Sequence, residues 1–233
     1  MNLKKIGLLL IIVSLVFACN SKKDGSMLVT GEVKNLKKGT LYLQKIKDTL
    51  LVTVDSIALD GTSIFTLSDD IESAEIYYLA LAKSPKKKIL FFGEKGTTTI
   101  NTKLEKFVYG AEIKGLSNQK LLEEYNEMAK KFGDKRLDLI KLDFETKKSN
   151  DSLRIDSVQN QINSLIKNRY RYTTNFAVIH ADKEVAPYLA LTELFDANII
   201  LLDTIQKSMT PEVKASIYGK KFDEFIADIR SKE

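Results

Sequence analysis

Few side chains in this sequence have the type and spacing to do chemistry. His180 is the only histidine and Cys19 the only cysteine among 233 residues. A Ser-His-Asp arrangement would have to use His180, with Asp182 or another carboxylate orienting it. No Gly-x-Ser-x-Gly elbow presents a serine, and the plainer reading of His180 is a packed or solvent-facing helix histidine. Asp55-Ser56 could aim a carboxylate at a hydroxyl, or simply be a turn or bulge pair bonding nearby backbone. Asp69-Asp70-Ile71-Glu72 with Glu75 offers carboxylate oxygens to Ca²⁺. It lacks the twelve-residue loop spacing of a calcium hand, which favours a solvated turn. Lys86-Lys87-Lys88 could meet phosphate headgroups or guard a strand edge. Arg169-Tyr170-Arg171-Tyr172 alternates cations with rings, a pattern that stacks on bases or sugars or forms a solvated helix face with packed tyrosines. Gly93 and Gly96 read as hairpin glycines, not a phosphate loop. No spacing of His, Cys and carboxylates suggests zinc. This inventory leads us to expect no catalytic residue, no metal ligand and no cofactor, and it leaves any ligand-binding residues unnamed.

The one position with a definite chemical expectation is Cys19. Lys4-Lys5 precede an apolar run from Ile6 to Ala18. That run is shorter than the roughly 20 residues a bilayer span needs, so residues 1–18 read as a signal peptide. Leu15-Val16-Phe17-Ala18-Cys19-Asn20 resembles a bacterial lipobox, with Phe17 bulkier than the usual residue at its place. The resemblance implies cleavage before Cys19 and acylation of its thiol. Acylation also explains a lone cysteine in an oxidising compartment, because the sulfur becomes a thioether. Residues 19–27 are polar and read as a flexible tether. The implied location is the cell envelope, lipid-anchored, in the outer membrane of a Gram-negative bacterium. The net charge of +5, from 36 basic and 31 acidic residues, is too balanced to require a nucleic-acid partner.

From Leu28 to Gly115 the pattern is β. Strands are expected at Leu28–Val33, Thr40–Lys47, Val52–Leu67 as a hairpin turning at Asp60-Gly61, Glu75–Ala82, Lys88–Phe92, Thr97–Thr102, Phe107–Tyr109 and Ala111–Lys114. Asp-Gly supplies the positive φ of a tight turn, and a one-residue slip at Asp55-Ser56 suggests a bulge. Alternation places Leu41, Leu43 and Lys45 on one face. Short strands with turns every eight to twelve residues favour a β-sandwich or a partly open barrel.

The order of Gly31-Glu32-Val33, Asn35-Leu36, Gly39, Tyr42-Leu43, Val54-Asp55-Ser56, Asp60-Gly61, Phe65, Phe91-Phe92-Gly93-Glu94-Lys95-Gly96 and Ile113–Asn118 resembles the domain of unknown function of family 4369. That domain precedes thioredoxin-like domains in many bacterial lipoproteins. The resemblance implies a β fold and an envelope location and lends this domain no catalytic residues. In such relatives a thioredoxin-like domain follows; this sequence ends at Glu233 and contains no Cys-x-x-Cys.

Residues 116–233 read as a helical domain. Ser117-Asn118 can cap a helix whose buried stripe is Leu121, Tyr125, Met128 and Phe132. Gly133-Asp134 offers a break or kink, and Leu137, Ile140 and Phe144 carry the stripe on. Ser149–Ser152 turns into a second helix through Leu153, Ile155, Val158, Ile162, Leu165 and Ile166, extending to Phe176 and Ile179. The two form an antiparallel pair of about 45 Å. Pro187–Phe195, Ile199–Met209 and a last helix capped by Thr210 follow, with Val213, Ile217, Phe225 and Ile229 inward. Phe176–Phe195 and Ser216–Gly219 resemble the helical spacer of the same lipoproteins.

The expected fold class is therefore α+β: an N-terminal antiparallel β-sandwich-like or partly open barrel domain, residues 28–115, then an all-α domain, residues 116–233, with a long antiparallel helix pair. The expected function is non-catalytic: a membrane-anchored lipoprotein presenting both domains to a protein partner, with a link to thiol-redox systems. The competing reading is a carrier for a small ligand, lipid or glycan.

Overall fold

The computed structural model of the chain describes residues 25–149 and 152–232. Eight strands build two four-stranded sheets. β1 (Met27–Lys34), β4 (Ile64–Asp69), β7 (Gly96–Lys103) and β8 (Glu112–Lys114) form one, in the order β4-β1-β7-β8. β2 (Lys38–Lys47), β3 (Leu50–Asp60), β5 (Glu75–Leu81) and β6 (Ser84–Gly93) form the other, in the order β3-β2-β5-β6. Val29, Phe65, Leu67 and Ile100 from the first sheet share one buried core with Leu41, Leu43, Tyr77, Leu79 and Phe91 from the second. The arrangement is two sheets around a core, not a barrel. β1 and β7 pair in parallel, Val29 opposite Thr98, while the other ladders are antiparallel.

Two expected hairpins are instead sheet-to-sheet crossings. Gly61 has the positive φ that Asp60-Gly61 foretold, +76°. Yet β3 and β4 lie in different sheets, and Gly61-Thr62-Ser63 carries the chain across the core edge. Likewise Gly93 ends β6 in one sheet and Gly96 opens β7 in the other. The slip near Asp55 is a bulge: Leu43 pairs with Asp55 and Gln44 with Thr53, leaving Val54 as the extra residue. β6 begins at Ser84, ahead of the expected Lys88, so Lys86 and Lys87 also lie on the strand. Phe107–Tyr109 is not a strand; it follows a single 3₁₀ turn, Leu104–Lys106, and only Phe107 is buried.

The helical half begins with α1 (Ser117–Ser149) and α2 (Ser152–Ile179), an antiparallel pair. At 1.5 Å per residue they run about 50 and 42 Å. α1 passes through Gly133-Asp134 unbroken, because one helical glycine costs only about 1 kcal/mol. Beyond it the buried register continues through Leu139 and Thr146, while Leu137, Ile140 and Phe144 are exposed. On α2, Val158 and Phe176 of the expected stripe are buried, and Leu153 and Ile166 are exposed.

α3 (Val185–Glu193), α4 (Ile199–Ser208), α5 (Pro211–Ala215) and α6 (Ile217–Ser231) pack a second core around Ala190, Leu202, Ile205 and Phe222. The expected last helix is split in two. Thr210 caps α5, then Ser216 takes an extended conformation and its hydroxyl accepts the Gly219 N–H to start α6. Gly219 sits against the Val213 and Lys214 carbonyls, where a Cβ would collide. Phe222 and Ile226 are the buried large side chains of α6, with Phe225 and Ile229 only partly covered. Among the described residues no helix is long and apolar enough to cross a membrane.

Candidate functional site

The two halves meet in a joint built from both. β6 is an edge strand, and its Phe92 N–H would face outward unpaired. Gln119, at the start of α1, accepts it at 2.7 Å. The Ile76 N–H of β5 lies past the end of the β2 ladder, at Lys45 opposite Tyr77, and donates to the Tyr218 hydroxyl of α6 at 3.0 Å. Next to it the Ile217 N–H donates to the Ser73 hydroxyl at 3.1 Å. Thus both the first and the last helix of the helical half satisfy edge groups of the β half.

Apolar packing fills the space between. The Phe92 ring meets Tyr188 of α3 and Tyr218 edge-on, with centroids 5.5 and 6.0 Å apart. Tyr125 of α1 packs against Phe176 and Tyr172 of α2. Burial pushes the Tyr125 and Tyr188 phenols up to about 12 and drives Tyr218 higher still. Ring pairs of this geometry add about 0.5–1.5 kcal/mol each beyond area burial.

A polar knot locks the angle at which α1 leaves. The Glu94 carboxylate, just past β6, accepts the Asn118 N–H at 2.8 Å and the Ser117 hydroxyl at 3.1 Å. An anion at a helix N-terminus is favoured by the orphan N–H groups and the helix dipole. The cap comes from the β domain rather than from Ser117 itself. The Asn118 side chain is buried. Its Nδ2 donates to Glu94 and Glu184, and its Oδ1 accepts the Val185 N–H that opens α3.

A second charged cluster ties the two sheets beside the joint. Lys45 Nζ on β2 lies 2.9 Å from Asp69 on β4 and 2.9 Å from Glu75 on β5, and it donates to the Tyr77 hydroxyl at 3.1 Å. Tyr77 in turn donates to Asp69 at 2.6 Å. Burial works against the Lys45 charge, but hydrogen bonds to Asp69 and Glu75 outweigh it and raise its pKa. Burial, then the Asp69 bond, drives the Tyr77 phenol far above its ordinary value. A recess of about 320 Å³ opens beside Lys45, Glu75, Ile217 and Lys221.

The helix pair beyond the joint carries two grooves. One, about 680 Å³, is lined on α2 by Asp156, Ser157, Asn160, Gln161, Ser164 and Asn168, facing Lys135 and Leu139 of α1. The other, about 470 Å³, lies between Phe132, Gly133 and Arg136 of α1 and Ile166, Arg169 and Phe195.

The residues singled out from the sequence fall as follows. Cys19 lies outside the described residues. His180 is half-buried at the end of α2 with its ring 4.6 Å from that of Phe176, and Asp182 pairs with Lys183. Asp55 accepts the Ser56 and Ser68 N–H groups, stitching β3 to β4. Asp69 and Glu75 are turned to Lys45, while Asp70 accepts the Ser26 N–H. No group of three or more His, Cys, Asp or Glu among the described residues is placed to hold a metal ion. Lys86 and Lys87 lie exposed on edge strand β6, and Lys88 stands over the Tyr78 ring. Arg169 reaches the Glu193 carbonyl, Tyr170 donates to Asp196, and Tyr172 packs among rings.

Residues 27–122 match the family described as Domain of unknown function (DUF4369). They form a DUF4369 domain. The match takes in all eight strands and the first six residues of α1, so Glu94, Asn118 and Gln119 of the joint belong to the DUF4369 domain. Tyr188, Glu184 and Tyr218 lie outside it. No curated protein matches the chain. One solved structure, pT26-6p, aligns with 84% of this chain at 12% identity; the chain spans 42% of that protein, and the TM-score is 0.23.

Proposed function

We propose that the chain is a membrane-anchored envelope lipoprotein that works by holding a helical arm out to a protein partner. The observation that carries this reading is the joint. It clamps the helical half to the DUF4369 domain through both α1 and α6, and the helix pair extends beyond it with an open groove along its length. The ladder of Asp156, Asn160, Ser164 and Asn168 recurs every four residues and so lines one face. A carboxylate, two amides and a hydroxyl in a row, with Leu139, Leu153 and Leu165 beside them, suit a peptide segment, whose own donors and apolar side chains they can meet. A palmitate-type anchor at Cys19 fits the lipobox and would keep the arm at the envelope. The lipoprotein resemblance makes a thiol-redox protein a natural partner class, reached by docking rather than by chemistry on this chain.

The test has two parts. A fatty-acid probe should label the wild type, and Cys19→Ala should abolish the label and release the protein from membranes. A photo-crosslinker in place of Asn160 should capture one discrete protein neighbour in intact cells, and one in place of Lys87 should not. Capture of a lipid or glycan in place of a protein would favour the carrier reading. No discrete adduct from the groove, with the protein correctly localised, would sink the partner reading.

A further inference from the structure

α1 carries two apolar stripes, and the fold uses one. Tyr125 and Leu139 are buried and share one face. Leu137, Ile140 and Phe144 follow one another at three and four residues and share a different face, about a third of a turn round from Leu139 at roughly 100° per residue. They are 67%, 49% and 62% exposed. The 470 Å³ groove at Gly133 and Arg136 opens on the same side and adds exposed Ile166 and Phe195. The arm therefore gathers large exposed apolar side chains on one side.

The charges around that stripe select its occupant. Helical spacing puts Lys130, Lys141 and Lys148 along one flank and Arg136 and Lys147 along the other, all exposed. Of these, Lys147 pairs with Asp143, and Lys148 stands over the Phe144 ring at 4.6 Å. The acidic residues Asp134, Asp138 and Glu145 fall further round the helix. An apolar strip edged by cations on both flanks is the pattern of a helix lying in a membrane interface, where lysine stems cover apolar surface and their heads meet anionic headgroups.

Geometry allows contact with the membrane that the proposed anchor occupies. Ser26 sits at the base of the arm: its carbonyl accepts the Gly96 N–H, and Gly96 lies against Leu116, one residue before α1. The short segment back to Cys19 can reach at most about 25 Å, and the stripe lies about 30–40 Å along α1. We propose that the Leu137–Ile140–Phe144 face of α1 docks on an anionic lipid surface, so that the arm lies along the membrane and is held at two points. The amide groove is then left free for its partner. This rests on the lipoprotein reading only in that the anchor brings the bilayer within reach.

The chain contains no tryptophan, so Phe144→Trp creates a single reporter in the full-length protein. Reconstituted in phosphatidylcholine vesicles with a phosphatidylglycerol fraction and brominated acyl chains, its emission should fall several-fold against unbrominated lipid. The fall should be weaker without phosphatidylglycerol. An Asn160→Trp reporter, on the amide groove, should not respond, and Lys130→Glu, Lys141→Glu and Lys148→Glu together should restore the Phe144→Trp signal. Unquenched Phe144→Trp in vesicle-bound protein would overturn the proposal, as would equal quenching of the two reporters. So would a crosslinker at Leu137 that captures only an acidic protein in cells. Acyl labelling reads the anchor separately: labelled protein with a silent reporter refutes the docking face alone, whereas unlabelled protein with a quenched reporter refutes the anchor alone.

Discussion

Asn118→Ala tests the joint most directly. The side chain is 1% exposed and makes three hydrogen bonds, to Glu94, Glu184 and the Val185 N–H. Val185 is fully buried, so truncation leaves its N–H orphaned, at a cost of about 1–3 kcal/mol. The two carboxylate contacts are part-buried, and water can replace a lost donor there. We take about 0.5 kcal/mol for each, below the value for a fully buried charged bond. The expected loss is about 2–4 kcal/mol. Asn118→Asp sharpens the test. It keeps an acceptor for Val185 but sets a third carboxylate against Glu94 and Glu184. Like charges at that range raise the new group's pKa. A raised carboxyl pKa costs stability at neutral pH, and the loss is relieved as pH falls through the raised value. Urea unfolding followed by helical circular dichroism at pH 7 and pH 5 should therefore rank wild type above Asn118→Ala above Asn118→Asp at pH 7. The gap between the two variants should narrow at pH 5. A loss under about 1 kcal/mol for Asn118→Ala, or an Asn118→Asp deficit indifferent to pH, would refute the assignment of this knot as the lock between the halves.

Two further outcomes follow from the same geometry. Gly219→Ala drives a Cβ into the Val213 and Lys214 carbonyls at the α5–α6 break and should cost about 1–3 kcal/mol; an unchanged urea midpoint would contradict the close approach. The phenols of Tyr77, Tyr125, Tyr188 and Tyr218 are raised above 10 in the folded chain, and Lys45 is raised above 10.5. Each is a group the unfolded chain deprotonates first, so stability holds below about pH 10 and falls as pH rises beyond it. The phenolate absorbance of these four tyrosines should appear together with loss of helical circular dichroism, and their full ionisation in a native-looking chain would overturn it.

Elements were legible in the sequence where one local rule decides them. The strand pattern before Gly115, the lengths of α1 and α2 and the cap at Thr210 depend on periodicity and turn chemistry. Pairing was not legible. Asp60-Gly61 specifies a turn, but nothing local says whether the strands it joins pair or part, and here they part. The parallel β1·β7 ladder joins residues about 70 apart and leaves no short-range mark. On α1, two apolar stripes compete after Gly133, and a period of 3.6 cannot say which will find a partner. The joint was missed because its polar members, Glu94, Asn118, Gln119 and Glu184, lie far apart in the sequence, and the family pattern that holds Glu94 and Asn118 does not say what they bond. Only Ser117-Asn118, as a helix start, hinted that anything was held there.

The hydroxyl of Tyr218 fixes an order of events in biogenesis. Ile76 waits for a partner 142 residues further along the chain. At about 5–20 residues per second, synthesis leaves this β5 N–H and the apolar end of Phe92 uncovered for several seconds after the DUF4369 domain has emerged. A truncation that removes α6 makes that interval permanent. The nascent protein thus carries an unfinished edge until α6 arrives, and a premature stop between α3 and α6 would yield a chain with an intact β half and a sticky flank. Such a product would be a client for proteases and holdases.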